Sequence, residues 1–600
     1  MTDLINNDSP GLLSPSSSLV SIVITTDDEH SNSRPSKFRG RNDVSSESSN
    51  DDIDLEESLP NNHILQPDTS DSVHTPHSQL LIKLLSPDGA LVSKLSDSNC
   101  TNEAQNLRDR TEIRPLRGTT LYIAECNVDT RFGEFHAYIF QDLIGKHYIM
   151  ALTYGKIKEK DKPFYIRLHS SCVTSETLRG SDCDCVQQLE GAIKIISEKK
   201  HGILFYLLQE GRGAGYVGKA RDRMLVQASC DQISTFEAYY LMGLKKDHRH
   251  YENIPQICDL LGIGNAQFIL LTNNPDKIKA MDDLKLQVIQ IEQLEFESSP
   301  FNSAYLASKQ SSGHLLRSAS HSTLRGKSAP EPVPLFKPCI VPNAQRFIYC
   351  ASYYLPMKPI NDEILLTDQQ FYEMFKYRSI DYYINMPNSC VLSYQVLRNN
   401  RFLIKVDVDN LRKHEEQCRN DPVCELLTTP YWFKIHVYYD IISTREFIVL
   451  THGTVGMSHY PIVRLQMESL FNRFPLRHAT MRDRFKQSVQ HIIRYGVGMI
   501  LLLADDGRGA GFGAYALDRM LLERGEVSNS DAARKKICVD HDANDYDGSI
   551  ALLKNHCPQG KIQLIMNKPS SILKKKECID ALAQHRFEIK KWLFLQQEEF

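Results

Sequence analysis

Polar and small residues dominate positions 1–115, in clusters such as SPSSS, SSESSNDD and TPHSQ with few aromatics between them. A stretch so poor in large apolar side chains cannot bury enough surface to offset the entropy of ordering, and 1–115 is expected to be disordered. From Leu121 the pattern changes. LYIAECNV, EFHAYIF and HYIMALTYG are strand-like runs broken by turn residues, and VQQLEGAIKIISEKK repeats apolar positions at Leu189, Ile193 and Ile196 with a helical period. ILFYLL is a short apolar strand that runs straight into the glycine-rich QEGRGAG. Further on, IPQICDLLGIG predicts a helix, QFILLT a buried strand and NNPDKIKAMDDL a turn opening a helix. Strand and helix alternate, as in layered α/β domains. Between 297 and 335 Ser, Pro and Gly return, and this stretch reads as a flexible linker.

The chain repeats itself. GRGAGYVGKARDRML at 211–225 and GRGAGFGAYALDRML at 507–521 agree at ten of fifteen positions with a constant offset of 296. Both copies follow an apolar strand, ILFYLL or MILLLA, and both strands follow a helix, so the repeated unit is a domain and not a loop. The expected architecture is two tandem mixed α/β domains, at 116–296 and 431–600, behind a disordered N-terminal region. The second is expected to begin near FKIHVYYDI, which leaves 336–430 without an assignment.

Composition narrows the partners. Six hundred residues allow two or three domains. Seventy basic against 74 acidic residues, with no basic stripe, argue against nucleic acid and for a small-molecule ligand. No run of eighteen apolar residues suggests a membrane partner. Fifteen cysteines without a secretory pattern suit reduced thiols in the cytoplasm.

Three of those cysteines are spaced for a metal. Cys172, Cys183 and Cys185 form C-x10-C-x-C, and three thiolates suit a catalytic zinc, which keeps one position for water, better than a structural zinc closed by a fourth ligand. Three unrelated buried thiols are the alternative. The turn Gln209–Gly215 can bring backbone N–H groups near an anion at a helix start, with Glu210 to accept from a base and Arg212 to fork onto phosphate, or it is only a tight turn. It is neither a Walker A loop nor a dinucleotide fingerprint.

RLHSSC, the ten-residue gap to CDC, then QQLE, QEGRGAG, DHRHY and LLTNNPDK together resemble the GTP cyclohydrolase II family, over about 180 residues and in the family's order. The resemblance implies opening of the guanine imidazole ring of GTP, or of a related guanine nucleotide, at the start of riboflavin synthesis. It implies release of formate and pyrophosphate, one zinc per chain on Cys172, Cys183 and Cys185, and magnesium with the triphosphate. It puts the nucleotide against Arg167, Leu168, His169, Ser170, Gln188, Glu210, Gly211, Arg212, Thr235, Thr272 and Lys277. It makes Asp247 the general acid/base and Arg249 the group that attacks the α-phosphate.

Departures from the family pattern limit what carries over. Arg223 stands where the family has a tyrosine involved in the later steps on the base, and a guanidinium does not act as a phenol-like acid near neutral pH. Ser171, Val186 and Leu208 also replace the usual residues. A formamide product, or a pyrimidine or uracil-catabolic substrate, is therefore the alternative; a nucleotide-binding regulator without turnover is another. An interaction scaffold would leave the three matched cysteines unexplained. In the second copy Ser469, Ala479 and Met481 take the ligand positions, Asn544 that of Arg249, Met566 that of Thr272 and Ser571 that of Lys277. Because the resemblance implies homodimers, a tandem copy on a linker spanning on the order of 30–35 Å is expected to fold back as an intrachain pseudo-dimer, with a homo-oligomer of whole chains as a further option.

Overall fold

The structure is a computed structural model and describes residues 120–595, apart from 144, 146, 158–161, 297–300, 317–328, 358–362, 387–388, 390, 398–400, 408–429, 479, 504–505, 507, 541 and 569–575. The tail read as disordered lies outside the described residues, as do Ala479, Ser571 and the Met481 side chain.

In the first half the strands are β1 (Thr120–Thr130), β2 (Gly133–Asp142), β3 (Tyr148–Tyr154), β4 (Phe164–Ser170), β5 (Gly202–Leu207), β6 (Gln267–Leu271) and β7 (Gln287–Glu292). They form one sheet in the order β1-β2-β3-β5-β4-β6-β7. β1, β2, β3 and β5 are antiparallel neighbours, and β5, β4, β6 and β7 are parallel ones. The pattern explains the placement: β1 alternates, burying Ala124, Cys126 and Val128, while central β5 is buried at every position and reads as an unbroken apolar run. Helices α1 (Val173–Glu176), α2 (Cys185–Lys199), α3 (Gly215–Ala228), α4 (Thr235–Leu241), α5 (Asn253–Leu260) and α6 (Pro275–Asp283) join the strands. The 297–335 stretch is not only a linker. Residues 303–311 form helix α7 (Ser303–Ser311), whose Leu306 and Ala307 are buried.

The second half repeats this sheet. Its strands are β8 (Cys339–Val341), β9 (Ala344–Met357), β13 (Tyr431–Asp440), β14 (Arg445–His452), β15 (Ile462–Met467), β16 (Gly498–Leu503), β17 (Lys561–Met566) and β18 (Glu588–Phe594), in the order β18-β17-β15-β16-β14-β13-β9-β8. The 336–430 segment therefore has a role that its sequence did not disclose. β9 is the counterpart of β1, and between β9 and β13 is inserted a small unit of β10 (Glu363–Leu366), β11 (Val391–Leu397) and β12 (Arg401–Val406) with helices α8 (Asp368–Phe375) and α9 (Ile380–Ile384). This insert separates the first strand from its sheet in sequence, which is why the repeat seemed to begin at FKIHVYYDI. The remaining helices are α10 (Thr480–Tyr495), α11 (Phe512–Glu523), α12 (Ser530–Lys536), α13 (Tyr546–His556) and α14 (Lys576–Gln584). Among the described residues no helix is long and apolar enough to cross a membrane.

The halves exchange helices reciprocally. Tyr216, Val217 and Ala220 of α3 pack with Tyr353, Leu355, Phe433 and Ile435 of the second sheet, and Phe512 and Ala516 of α11 pack with Ala124, Cys126, Phe135 and Ala137 of the first. Polar contacts seal both faces. Glu446 of the second half accepts from the Tyr216 and Val217 N–H groups at 3.2 and 2.9 Å, capping α3 from across the interface, and Arg524 pairs with Glu125 at 2.9 Å. Buried Arg221 donates to the Cys350 carbonyl at 2.7 Å. Glu446→Ala should cost the full chain about 1–2 kcal/mol, since it removes a charged cap from a helix start. Equilibrium denaturation measures this, and an unchanged midpoint would mean that the cross-half cap contributes nothing.

Candidate active site

Strand β4 ends at Ser170 and the chain turns directly into α1, with the Ser171 N–H bonded to the Leu207 carbonyl at 2.9 Å. That turn presents Cys172. After ten intervening residues the chain returns with Cys183 and Cys185, the latter opening α2. Cys172 and Cys183 sulfurs are 3.7 Å apart, and all three lie within 4.8 Å of one another. Zinc–sulfur bonds of about 2.3 Å in a tetrahedron put sulfurs about 3.8 Å apart, so the donor set fits zinc in type and spacing. Cys172 and Cys183 are buried, and Cys185 is partly open. Burial opposes ionisation of Cys172, yet hydrogen bonds from the other two thiols and the Lys219 ammonium, 2.9 Å away, hold it well below its ordinary value. Cys183 and Cys185 are pushed up, first by their hydrogen bonds to Cys172 and then by burial and its charge.

Lys219 is a residue that the sequence reading missed. It also pairs with Glu210 at 2.7 Å, and the other Glu210 oxygen accepts from the Val173 N–H at 2.8 Å. Both oxygens expected to recognise a base are thus already engaged in holding the thiol turn. Burial pushes the Glu210 carboxyl up to about 7 against the pull of Lys219.

The glycine-rich turn is left-handed at three successive residues, Gly211, Arg212 and Gly213. A side chain at Gly213 would meet the His248 carbonyl oxygen at 2.6 Å, and the Arg212 carbonyl accepts from the His248 N–H at 2.8 Å. This close seam brings the Asp247–Arg249 run to the cavity. Gln209 fastens it further, exchanging two hydrogen bonds with the His250 backbone at 2.6 and 2.8 Å. Arg249 Nε lies 2.9 and 3.0 Å from the two Asp247 oxygens. Burial alone would raise Asp247, but the charge and hydrogen bonds of Arg249 outweigh it and keep the carboxylate ionised below its usual range.

Of the expected contact residues, Arg167, His169, Ser170, Gln188, Glu210, Gly211, Arg212, Thr235, Thr272 and Lys277 line one cavity with Asp247, Arg249, Cys172 and Cys185. Leu168 does not; its side chain is core and its carbonyl holds the Lys277 ammonium at 2.7 Å. The cavity carries eight Lys and Arg side chains against four carboxylates. Burial, with Arg167 and Arg249 nearby, holds Lys277 well below its ordinary value, a strain that a bound anion would relieve. Arg167 Nε, His169 Nδ1, Ser170 Oγ and Arg212 Nη1 are buried polar atoms without a partner among the described residues. The lining thus has donors in reserve for a polyanion.

The presumed linker supplies part of this wall. Tyr305, Lys309, His314 and Leu316 line the cavity, and Lys309 pairs with Asp184, between the two last cysteines, at 2.7 Å. The only sequence signal for this was the short apolar spacing of SAYLASK inside a Ser-rich stretch. Arg223 pairs with Asp182 at 3.2 Å and lies over the Tyr305 ring at 4.9 Å, so its charge braces the CDC loop.

In the second half the scaffold recurs with other residues at the site positions. Glu468 N–H bonds the Leu503 carbonyl, Ala543 N–H bonds the Arg508 carbonyl, and Arg508 keeps a left-handed φ of 54°, each matching the first half. These matches set Ser469 opposite Cys172 and Asp506 opposite Glu210; the repeat sets Tyr515 opposite Lys219. Asn544 takes the place of Arg249 and donates to Asp542. The turn thus has the same backbone geometry in both halves.

The chain matches the family description GTP cyclohydrolase II over residues 121–293 and again over 421–578. GTP cyclohydrolase-2 of Colwellia psychrerythraea is 36% identical over 196 residues, 32% of this chain and 94% of that protein. GTP cyclohydrolase-2 of Haemophilus influenzae is 34% identical over 195 residues, 32% and 88% of the two chains. Riboflavin biosynthesis protein RibBA of Chlorobium phaeovibrioides is 32% identical over 244 residues, 40% and 58%.

Burial pushes the Asp506 carboxyl up to about 7. A group raised in this way from an unfolded value near 4 stabilises fully below about pH 4, and that contribution is lost as pH rises through 7. Asp506→Asn, which keeps an oxygen for the Leu470 N–H, should gain thermal stability over the parent increasingly from pH 5 to 8. Parallel melting curves across that range would contradict the assignment.

Proposed function

We propose that this chain, which belongs to the GTP cyclohydrolase II family, is a hydrolase that opens the imidazole ring of GTP in its first half, releasing formate and pyrophosphate. The observation that carries the reading is the coincidence, in that half, of three clustered sulfurs with a cation-rich cavity ending in the Asp247–Arg249 pair. Cys172, Cys183 and Cys185 would hold one zinc, which when bound supplies Lewis-acid activation of water near neutral pH. Magnesium accompanies the triphosphate.

The chain's own residues do the rest. Lys277, Arg167 and Arg212 draw the triphosphate inward, and phosphate competes with Asp247 for Arg249. Release of Arg249 frees the Asp247 carboxylate to accept and return protons on the base, while Arg249 meets the α-phosphate. A riboflavin-type pathway in the cytoplasm is the matching context, as the RibBA relative's name suggests for that protein. The second half serves as packing partner in an intrachain pseudo-dimer, without turnover of its own.

A second reading, in which the reaction ends at a formamide, is favoured by Arg223. Its guanidinium is committed to Asp182 and stacked on Tyr305, where it cannot act as a proton donor to the base.

Incubating the full chain with GTP, zinc and magnesium and identifying products by mass separates these outcomes: formate with a deformylated product, a product one formyl group heavier, or unchanged GTP, which would refute turnover. Metal analysis should find one zinc per chain and a large loss in Cys183→Ser; two per chain would contradict the proposal. Arg249→Ala should lower pyrophosphate release roughly 10²–10³-fold while Asn544→Ala leaves it at the parent rate. Equal losses would assign the active half wrongly.

A further inference from the structure

The ten-residue loop between Cys172 and Cys183 is tied to the half that has no thiols. The Thr177 hydroxyl donates to Glu468 at 2.5 Å, the Ser181 N–H donates to the Pro356 carbonyl at 2.8 Å, and Gly180 forms an isolated bridge with Met357. At the centre of this junction is Arg473, which is buried. Its Nε donates to Glu468 at 2.7 Å and its Nη1 to the Tyr206 hydroxyl at 3.2 Å. Tyr206 donates in turn to Glu176 at 2.5 Å, and the other Glu176 oxygen meets His169 Nε2 at 2.8 Å. Glu176 closes the short turn that Cys172 opens, its N–H bonded to the Cys172 carbonyl at 2.8 Å.

Two carboxylates, one from each half, are therefore buried here, and a buried carboxylate is unfavourable unless a cation and hydrogen bonds compensate it. Arg473 binds Glu468 directly and Glu176 through the Tyr206 hydroxyl. With the guanidinium removed, the two acids would face each other across Thr177 and Tyr206, and the turn bearing Cys172 would have to shift to separate them. We infer that Arg473, contributed by the half without metal ligands, is a positioning residue for the first half's thiol cluster, fixing the Cys172–Cys183 spacing through Glu176, Tyr206 and Thr177. This rests on the reading that the three cysteines bind zinc. It gives the second half a function beyond covering apolar surface.

The test uses the full chain with cobalt(II) in place of zinc, because thiolate–cobalt charge-transfer absorption reports the cluster without any turnover. Arg473→Ala should bind cobalt roughly 10–100-fold more weakly than the parent, the range seen when partners that orient metal ligands are lost. Its metal-free thiols should also be alkylated faster, and Arg473→Lys, which keeps the charge, should recover part of the affinity. Arg519→Ala, which cuts a different cross-half contact to the Asn127 carbonyl, should lower the denaturation midpoint and leave cobalt affinity unchanged. A parent chain without the thiolate–cobalt band would refute the zinc reading itself. A parent band with Arg473→Ala affinity within about twofold, at unchanged far-ultraviolet circular dichroism, would overturn the inference. If Arg473→Ala fails to fold, Thr177→Val decides: weakened cobalt binding supports the inference and parent affinity overturns it.

Discussion

The helix after each glycine-rich turn has an apolar face that its own sheet leaves uncovered, and the opposite half's sheet covers it. Tyr216 and Val217 of α3 meet Tyr353 and Phe433; Phe512 of α11 meets the β1–β2 face. Burial of such side chains contributes about 2–3 kcal/mol each, so neither half holds its helix in place alone at comparable stability. The active-site geometry inherits this dependence. Lys219, which touches both Cys172 and Glu210, is carried by the helix that the second half covers and caps.

The second half keeps the frame of the thiol turn without its thiols. Cys172, Lys219 and Glu210 join a thiol, an ammonium and a carboxyl; Ser469 and Tyr515 put hydroxyls in place of the thiol and the ammonium, while burial pushes both acids, Glu210 and Asp506, up to about 7. The carboxyl caps the following turn in both, which explains why an acid remains where no ligand does. Left-handed arginines recur at 212 and 508 together with the seam they form, each carbonyl accepting from the N–H of the facing run, at His248 and at Ala543.

Much of this was legible in the sequence. Alternation and apolar runs identified β1, β2, β3, β5 and β6 but not β4, and the C-x10-C-x-C spacing with the repeat identified the cluster and the other residues at its positions in the second half. What escaped had physical causes. β9 is divided from its sheet by an inserted unit, so periodicity found the strand's neighbour β13 and not the strand. Helix α7 is short and Ser-rich, with only Ser303, Leu306 and Ala307 buried, and by composition it resembles a linker. Lys219 and Arg473 are long charged side chains on buried faces, and no local pattern separates them from surface charges.

Glu176 and Arg473 occupy equivalent places in the two halves, each the fourth residue of the turn that follows the matching strand. Pairing of a first half with another first half would bring two glutamates to one tyrosine, and two second halves would oppose two arginines. Only the mixed pairing sets the Arg473 guanidinium on the Tyr206 hydroxyl that donates to Glu176. The two halves thus meet at this point through unlike side chains from equivalent positions, a contact that two identical halves could not make, so the junction is asymmetric although the frame around it is repeated.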